Sequence, residues 1–211
     1  METLSVADEV ADASSLIEWG IAARALAGNA ESGDQYWLES FPGGVAVAVV
    51  DALGHGPAAA AVARTAVAAL EGHAAEPVTL LTRRCHKALK GTRGVVISLA
   101  SFDLSQGTVT WLGVGNVKGL FLRAGADDDR MREALFLRGG VVGYRLPSLY
   151  PAAMPVASGD VLIFATDGIR DGFLDGLPPA NAPQQMAEQI LAAHARGTDD
   201  ALVLVVRYVG K

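Results

Sequence analysis

From Val45 to Val50 the chain reads VAVAVV, with no polar side chain, and the run stops at Asp51. So short an apolar run predicts a strand buried on both faces. Upstream, LIEWGIAARAL and QYWLESF predict two further strands, separated by the turn residues of GNAESGD. Downstream, Pro57 suits the first position of a helix, and the alanine-rich segment behind it predicts a helix to about Gly72. Pro77 opens a second helix through Leu89, which GTRG closes.

Beyond Gly94 the pattern changes. VVISLASFDL, TVTWLGV and VKGLFLR are short apolar-alternating stretches separated by SQG and GN, which are hairpin signals and predict antiparallel pairing. AGADDDR reads as a polar, solvated loop, and EALFLR resumes strand character. VLIFATDG is another apolar strand ending in an aspartate, PQQMAEQILAAHA a late helix, and DDALVLVVRYV a last strand. No internal repeat or long linker interrupts this order. It predicts one α+β domain over residues 1–211, without the regular βαβ alternation of a nucleotide-binding fold.

Composition narrows the classes. A chain of 211 residues, 51% of them hydrophobic, can build one sizeable core. A formal net charge of -6 argues against nonspecific nucleic-acid binding, which needs a surplus of Lys and Arg. No apolar run is long enough to span a bilayer, because Arg64 and Glu71 break the stretch after Pro57. METLSVADEV is acidic and lacks the pattern of a secretory signal. The one cysteine, Cys85, excludes an intrachain disulfide and sits in a helical segment, where a buried structural role is expected. These features fit a cytoplasmic protein with neither a nucleic-acid nor a membrane partner.

The acids fall at informative places. Asp51 and Asp167 end apolar strands, Asp199 and Asp200 begin one, and Asp34 follows a Ser-Gly turn. An aspartate beside an apolar run has a desolvation problem unless positive charge stands next to it. Strand ends that meet could share one solution, a hard divalent cation bound by oxygen. Ordinary turn and capping chemistry is the competing account of each acid taken singly. DALGHGPAA has two glycines and no following Lys-Ser or Lys-Thr, so it matches neither phosphate-binding nor dinucleotide-binding loops. The histidines are too scattered for a zinc site.

SGD, DALGHG, GVGNV, ATDGI and TDDALVLVV, in that order, resemble the SpoIIE/RsbX-like branch of the bacterial metal-dependent protein phosphatases, relatives of protein phosphatase 2C. The resemblance runs from about Glu18 to Val209. It implies a four-layer α-β-β-α sandwich, with two antiparallel sheets face to face and flanking helices. It also implies two Mn2+ or Mg2+ ions between the sheets at one end. Asp51 matches the aspartate that bridges both ions, and Ala52 a position whose backbone carbonyl binds one of them. The family usually has Gly where Ala52 stands. Asp167 and Asp200 match the aspartates on the second ion, with Asp199 as the secondary candidate. Asp34 matches the acid of the early motif, which contacts metal-bound water.

The implied reaction is attack of a metal-activated water on a phosphoserine or phosphothreonine, with no covalent intermediate. Asp34 and Asp51 are then the catalytic acids, and His55 a secondary candidate for protonating the leaving oxygen. The implied substrate is a phosphorylated STAS-domain regulator of a partner-switching or stressosome pathway. Two features depart from relatives. GNAESGD holds no arginine where many eukaryotic relatives grip the phosphate, Arg24 being the nearest upstream. His55 stands four residues after Asp51, where many relatives place a histidine two residues after it. Gly115-Asn116 in GVGNV is expected to make a tight strand connection with a structural role. A binding module of the same fold without turnover, and a small-molecule phosphoesterase, are the rival readings.

Overall fold

The computed structural model describes residues 16–124, 132–174 and 181–210. The aspartates of AGADDDR and the N-terminal METLSVADEV lie outside the described residues. Two sheets carry the fold. The first has the order β2-β3-β4-β5-β8, built from β2 (Asp34–Phe41), β3 (Gly44–Ala52), β4 (Val95–Asp103), β5 (Thr108–Val114) and β8 (Leu137–Arg138). The second has the order β1-β11-β10-β6-β7, from β1 (Ile17–Arg24), β6 (Lys118–Leu122), β7 (Arg132–Ala134), β10 (Val161–Ala165) and β11 (Ala201–Tyr208). Helices α1 (Gly56–Ala68) and α2 (Val78–Ala88) cover the first sheet, and α3 (Pro183–His194) covers the second.

The alternation in VAVAVV explains the layering. Val45, Val47 and Val49 point between the sheets, where they join Phe102, Phe121, Phe164 and Leu204. Ala46, Ala48 and Val50 point outward against Ala59, Ala63 and Leu81 of the helices. Small residues on both sides of that outer contact let α1 lie close to the strand. Behind the second sheet, Ala22, Ile163, Val203 and Val205 pack on Met186 and Ile190 of α3. The expected α-β-β-α sandwich is what forms. No helix among the described residues is long and apolar enough to cross a membrane.

Several local expectations are corrected. The first helix stops at Ala68 rather than near Gly72. EALFLR is not one strand: β7 belongs to the second sheet and β8 to the first. Between them Leu135 is buried in the inter-sheet core, its amide donating to the Gly119 carbonyl at 2.8 Å. GVGNV makes no hairpin, because β5 and β6 lie in different sheets and the chain crosses at Gly115–Val117. β8 pairs parallel with β5, so the first sheet is not wholly antiparallel. β9 (Ala152–Pro155), antiparallel to β5, was not foreseen, its PAAMP sequence lacking strand-like alternation.

Candidate metal centre at the strand ends

Asp34 opens β2 and Asp51 is the penultimate residue of β3, and the two occupy directly opposed positions in the antiparallel ladder. Like charges facing each other across a ladder repel. Asp34 is buried, and its Oδ2 accepts a hydrogen bond from the Thr166 hydroxyl at 2.7 Å. Thr166 Oγ1 in turn accepts the Leu202 amide at 2.9 Å, so the hydroxyl is oriented by β11 of the other sheet. Asp34 is thus tied across the sandwich.

The electrostatics follow from that placement. Burial pushes the Asp34 carboxyl up to about 7, against the Thr166 hydrogen bond and helped by Asp200, Asp167 and Asp199. Burial pushes Asp51 up to about 8, reinforced first by Asp34 and then by Asp167, Asp199 and Asp200. The acids the sequence singled out therefore gather at one end of the sandwich, where their charges raise the affinity of Asp34 and Asp51 for protons. No Lys, Arg or His forms an ion pair with any of the five among the described residues.

The remaining acids are held in different ways. Asp167 follows β10, and its Oδ2 accepts the Asn116 amide at 2.8 Å. Asn116 was expected only to turn the chain; it also orients a candidate ligand. The GN dipeptide hid this, because asparagine before or after glycine is ordinary turn chemistry. Asp200 is buried, and its two oxygens accept the amides of Leu26 and Gly33, each at 2.7 Å. It clamps the loop between β1 and β2. Asp199 is exposed, and among the described residues only its Oδ1 is engaged, by the Asp200 amide at 2.9 Å.

Ala52 is buried, and its amide donates to the Gly33 carbonyl at 3.1 Å. The chain then turns through Gly54 and Gly56, both at positive φ (85° and 75°), a region that disfavours side chains with a Cβ. His55 lies between them as the residue before α1, exposed, with Nδ1 3.2 Å from the Asn29 side-chain amide. Among the described residues its hydrogen-bond partner is an amide and no carboxylate. Arg24 shares a strand face with Ala22, which packs in the α3 layer, so it points away from the acids. Cys85 is buried, and burial pushes its thiol up to about 12, consistent with a packing role.

Divalent cations fit this donor set. The donors are oxygens only, a buried and a half-buried carboxylate stand opposite each other, and no protein cation offsets them among the described residues. Among the described residues no three His, Cys, Asp or Glu side chains converge into a ready-made cage. Mg2+-like ions tolerate that, since they keep several waters and take one or two carboxylates each.

Comparison with known proteins gives the context. Residues 42–209 match the family model described as Stage II sporulation protein E (SpoIIE). The chain is 30% identical over 91 residues to Phosphoserine phosphatase RsbX of Bacillus subtilis (strain 168), a match covering 43% of this chain and 46% of that protein. The matched segment is thus under half the length of this curated relative. A chain solved in work on "The bacterial stressosome: a modular system that has been adapted to control secondary messenger signaling" superposes with a TM-score of 0.81 at 30% identity, covering 90% of this chain and 99% of that one. RsbX in complex with magnesium superposes with a TM-score of 0.80 at 19% identity, over 91% of this chain and 95% of that one, a likeness of fold. With four-fifths of its length matched by the family model, and the acids of SGD, DALGHG, ATDGI and TDDA gathered at one end of the sandwich, the chain belongs to the SpoIIE family.

Proposed function

We propose that this protein is a cytoplasmic, metal-dependent protein serine/threonine phosphatase, its catalytic unit one domain over about residues 18–209. The observation that carries the reading is the register-paired Asp34, buried, and Asp51, half-buried, which desolvation and each other's proximity push towards protonation with no protein cation to offset them among the described residues. Two Mn2+ or Mg2+ ions would be held by Asp51, the Ala52 carbonyl and Asp167. When bound they supply a water of lowered pKa as nucleophile and screen the phosphoryl oxygens. Asp34, fixed by Thr166, stands beside Asp51 to orient that water.

The hydrogen bonds support a division of labour between Asp199 and Asp200 that differs from the expectation. Both oxygens of Asp200 already serve backbone amides, whereas Asp199 is exposed with one oxygen unengaged among the described residues. Asp199 is therefore assigned as the ligand and Asp200 as the clamp. Asn116 orients Asp167 from outside the ligand set.

The substrate class proposed is a phosphorylated STAS-domain regulator. The names of the relatives, a phosphoserine phosphatase and a stressosome component, support it. The test is hydrolysis of p-nitrophenyl phosphate and of a serine-phosphorylated STAS-domain protein, with Mn2+ or Mg2+ and with chelator. Metal-dependent release of phosphate from both is expected. Partner binding without turnover of either compound would replace the reading with a binding module.

A further inference from the structure

Charge is unevenly distributed along this acidic chain. Residues 77–102 and 134–159 contain none of its 23 Asp and Glu but seven of its 17 Lys and Arg, five in the first segment and two in the second. The fold joins these two segments. Val95 and Val142 exchange backbone hydrogen bonds at 2.9 and 2.8 Å, and the Gly143 amide donates to His86 Nδ1 at 2.9 Å. Gly94 and Gly143 make the contact close: a Cβ on Gly94 would stand 2.6 Å from the Val142 carbonyl oxygen.

The same surface exposes large aromatic side chains. Phe136 is 72% exposed, Tyr144 81% and Tyr150 65%. The Arg138 guanidinium lies over both the Phe136 and Tyr150 rings, at 4.9 and 4.8 Å from their centroids. Stacking fixes the plane of the guanidinium and leaves its edge donors free. Arg93, Arg138 and Arg145 form no ion pair among the described residues.

This face reaches the acidic centre at two places. Arg93 Nη1 donates to the carbonyl of Leu53, the residue after Ala52, at 2.9 Å. The Arg138 carbonyl accepts the Gly115 amide at 2.8 Å, next to the Asn116 that holds Asp167. A phosphorylated protein approaching a chain of net charge -6 is repelled except where cations are presented. Exposed Tyr, Phe and Arg are also the side chains that carry binding energy at protein interfaces.

We propose that this basic, aromatic face is the docking surface for the phosphoprotein substrate, and that it selects a partner with acidic side chains flanking the phosphorylated residue. The proposal rests on the phosphatase reading. Its test is equilibrium binding with chelator present, so that turnover does not consume the probe. The probes are two fluorescent phosphoserine peptides, identical except that the flanking positions carry aspartate in one and lysine in the other. Eight residues on each side of the phosphoserine reach roughly 25 Å, enough to leave the acidic centre and cross the face.

The wild-type chain is expected to bind the aspartate peptide at least about 10-fold tighter, with the preference shrinking as salt rises. In Arg138→Glu/Arg145→Glu, and in the milder Arg138→Gln/Arg145→Gln, the preference should fall to within about 2-fold. Hydrolysis of p-nitrophenyl phosphate should be unchanged in both variants. Equal binding of the two peptides, or a preference that survives both variants, overturns the proposal. So does binding to phosphatidylserine vesicles with no preference between the peptides. If wild type hydrolyses no phosphomonoester with any metal yet keeps the peptide preference, the phosphatase reading fails while the acid-selective face stands.

Discussion

At the scale of single residues, the proposed reading gives two neighbouring aspartates opposite jobs. Asp200 satisfies two loop amides from a buried position, so Asp200→Ala leaves both without a partner. Hydrogen bonds to a charged group contribute about 1.5–3 kcal/mol each, so for the two a loss of about 3–6 kcal/mol in urea denaturation is expected. Asp199→Ala removes an exposed side chain and should change stability by about 0.5 kcal/mol or less. It should instead weaken Mn2+ binding in an isothermal titration. Reversal of that pattern would return the ligand role to Asp200. Asp51→Asn is a sharper case. It removes one of two opposed, desolvated carboxylates, so the metal-free fold should melt no lower than wild type. Activity and Mn2+ affinity should fall by more than the roughly 10–100-fold typical of changes behind a metal's ligands. An unchanged Mn2+ titration would exclude a bridging role. Asn116→Ala tests such a second-tier position itself, with an expected loss of about 10-fold in Mn2+ affinity.

At the scale of elements, the centre depends on how closely two strand ends approach. Gly168 follows Asp167, and a Cβ there would lie 2.0 Å from the Asp200 carbonyl oxygen, which is backbone and cannot swing aside. Gly168→Ala must therefore push the start of β11 away from the end of β10. Overpacking of this kind costs about 1–3 kcal/mol. It should lower the melting temperature and weaken Mn2+ binding together, while Gly139→Ala, in open space and without a positive φ, should leave Mn2+ binding intact. The strand ends themselves were legible in the sequence, because an apolar run that stops at an acid marks both the strand and its exit. Asp51 and Asp167 were readable for that reason. Thr166 and Asn116 were not, since each matters through a partner distant in sequence, Asp34 and Asp167 respectively. The crossing at Gly115–Val117 was misread for a related cause: a GN turn looks the same whether the next strand pairs beside the last one or in the opposite sheet.

At the scale of the whole molecule, the acidic centre couples stability to pH and to metal. In the metal-free protein Asp34 and Asp51 titrate near 7 and 8, against 3.8 for an unperturbed carboxyl. Between those limits the folded state holds more protons than the unfolded chain, so stability falls as pH rises. The stabilising protonation is complete below about 4 and is lost as pH passes through 7 to 8. On the proposed reading a divalent cation would replace the protons as the neutralising charge and bind only the folded site, so that its stabilisation would grow over the range where protonation fails. With chelator, the melting temperature is expected to decline from pH 5 to pH 8.5; with saturating Mn2+ the decline should flatten or reverse. Asp51→Asn should weaken both effects, because one neutral side chain relieves the repulsion at any pH. A chelated melting profile that rises towards pH 8.5 would mean that Asp34 and Asp51 are already neutralised by charge within the protein, and the case for metal at the strand ends would lose its electrostatic basis.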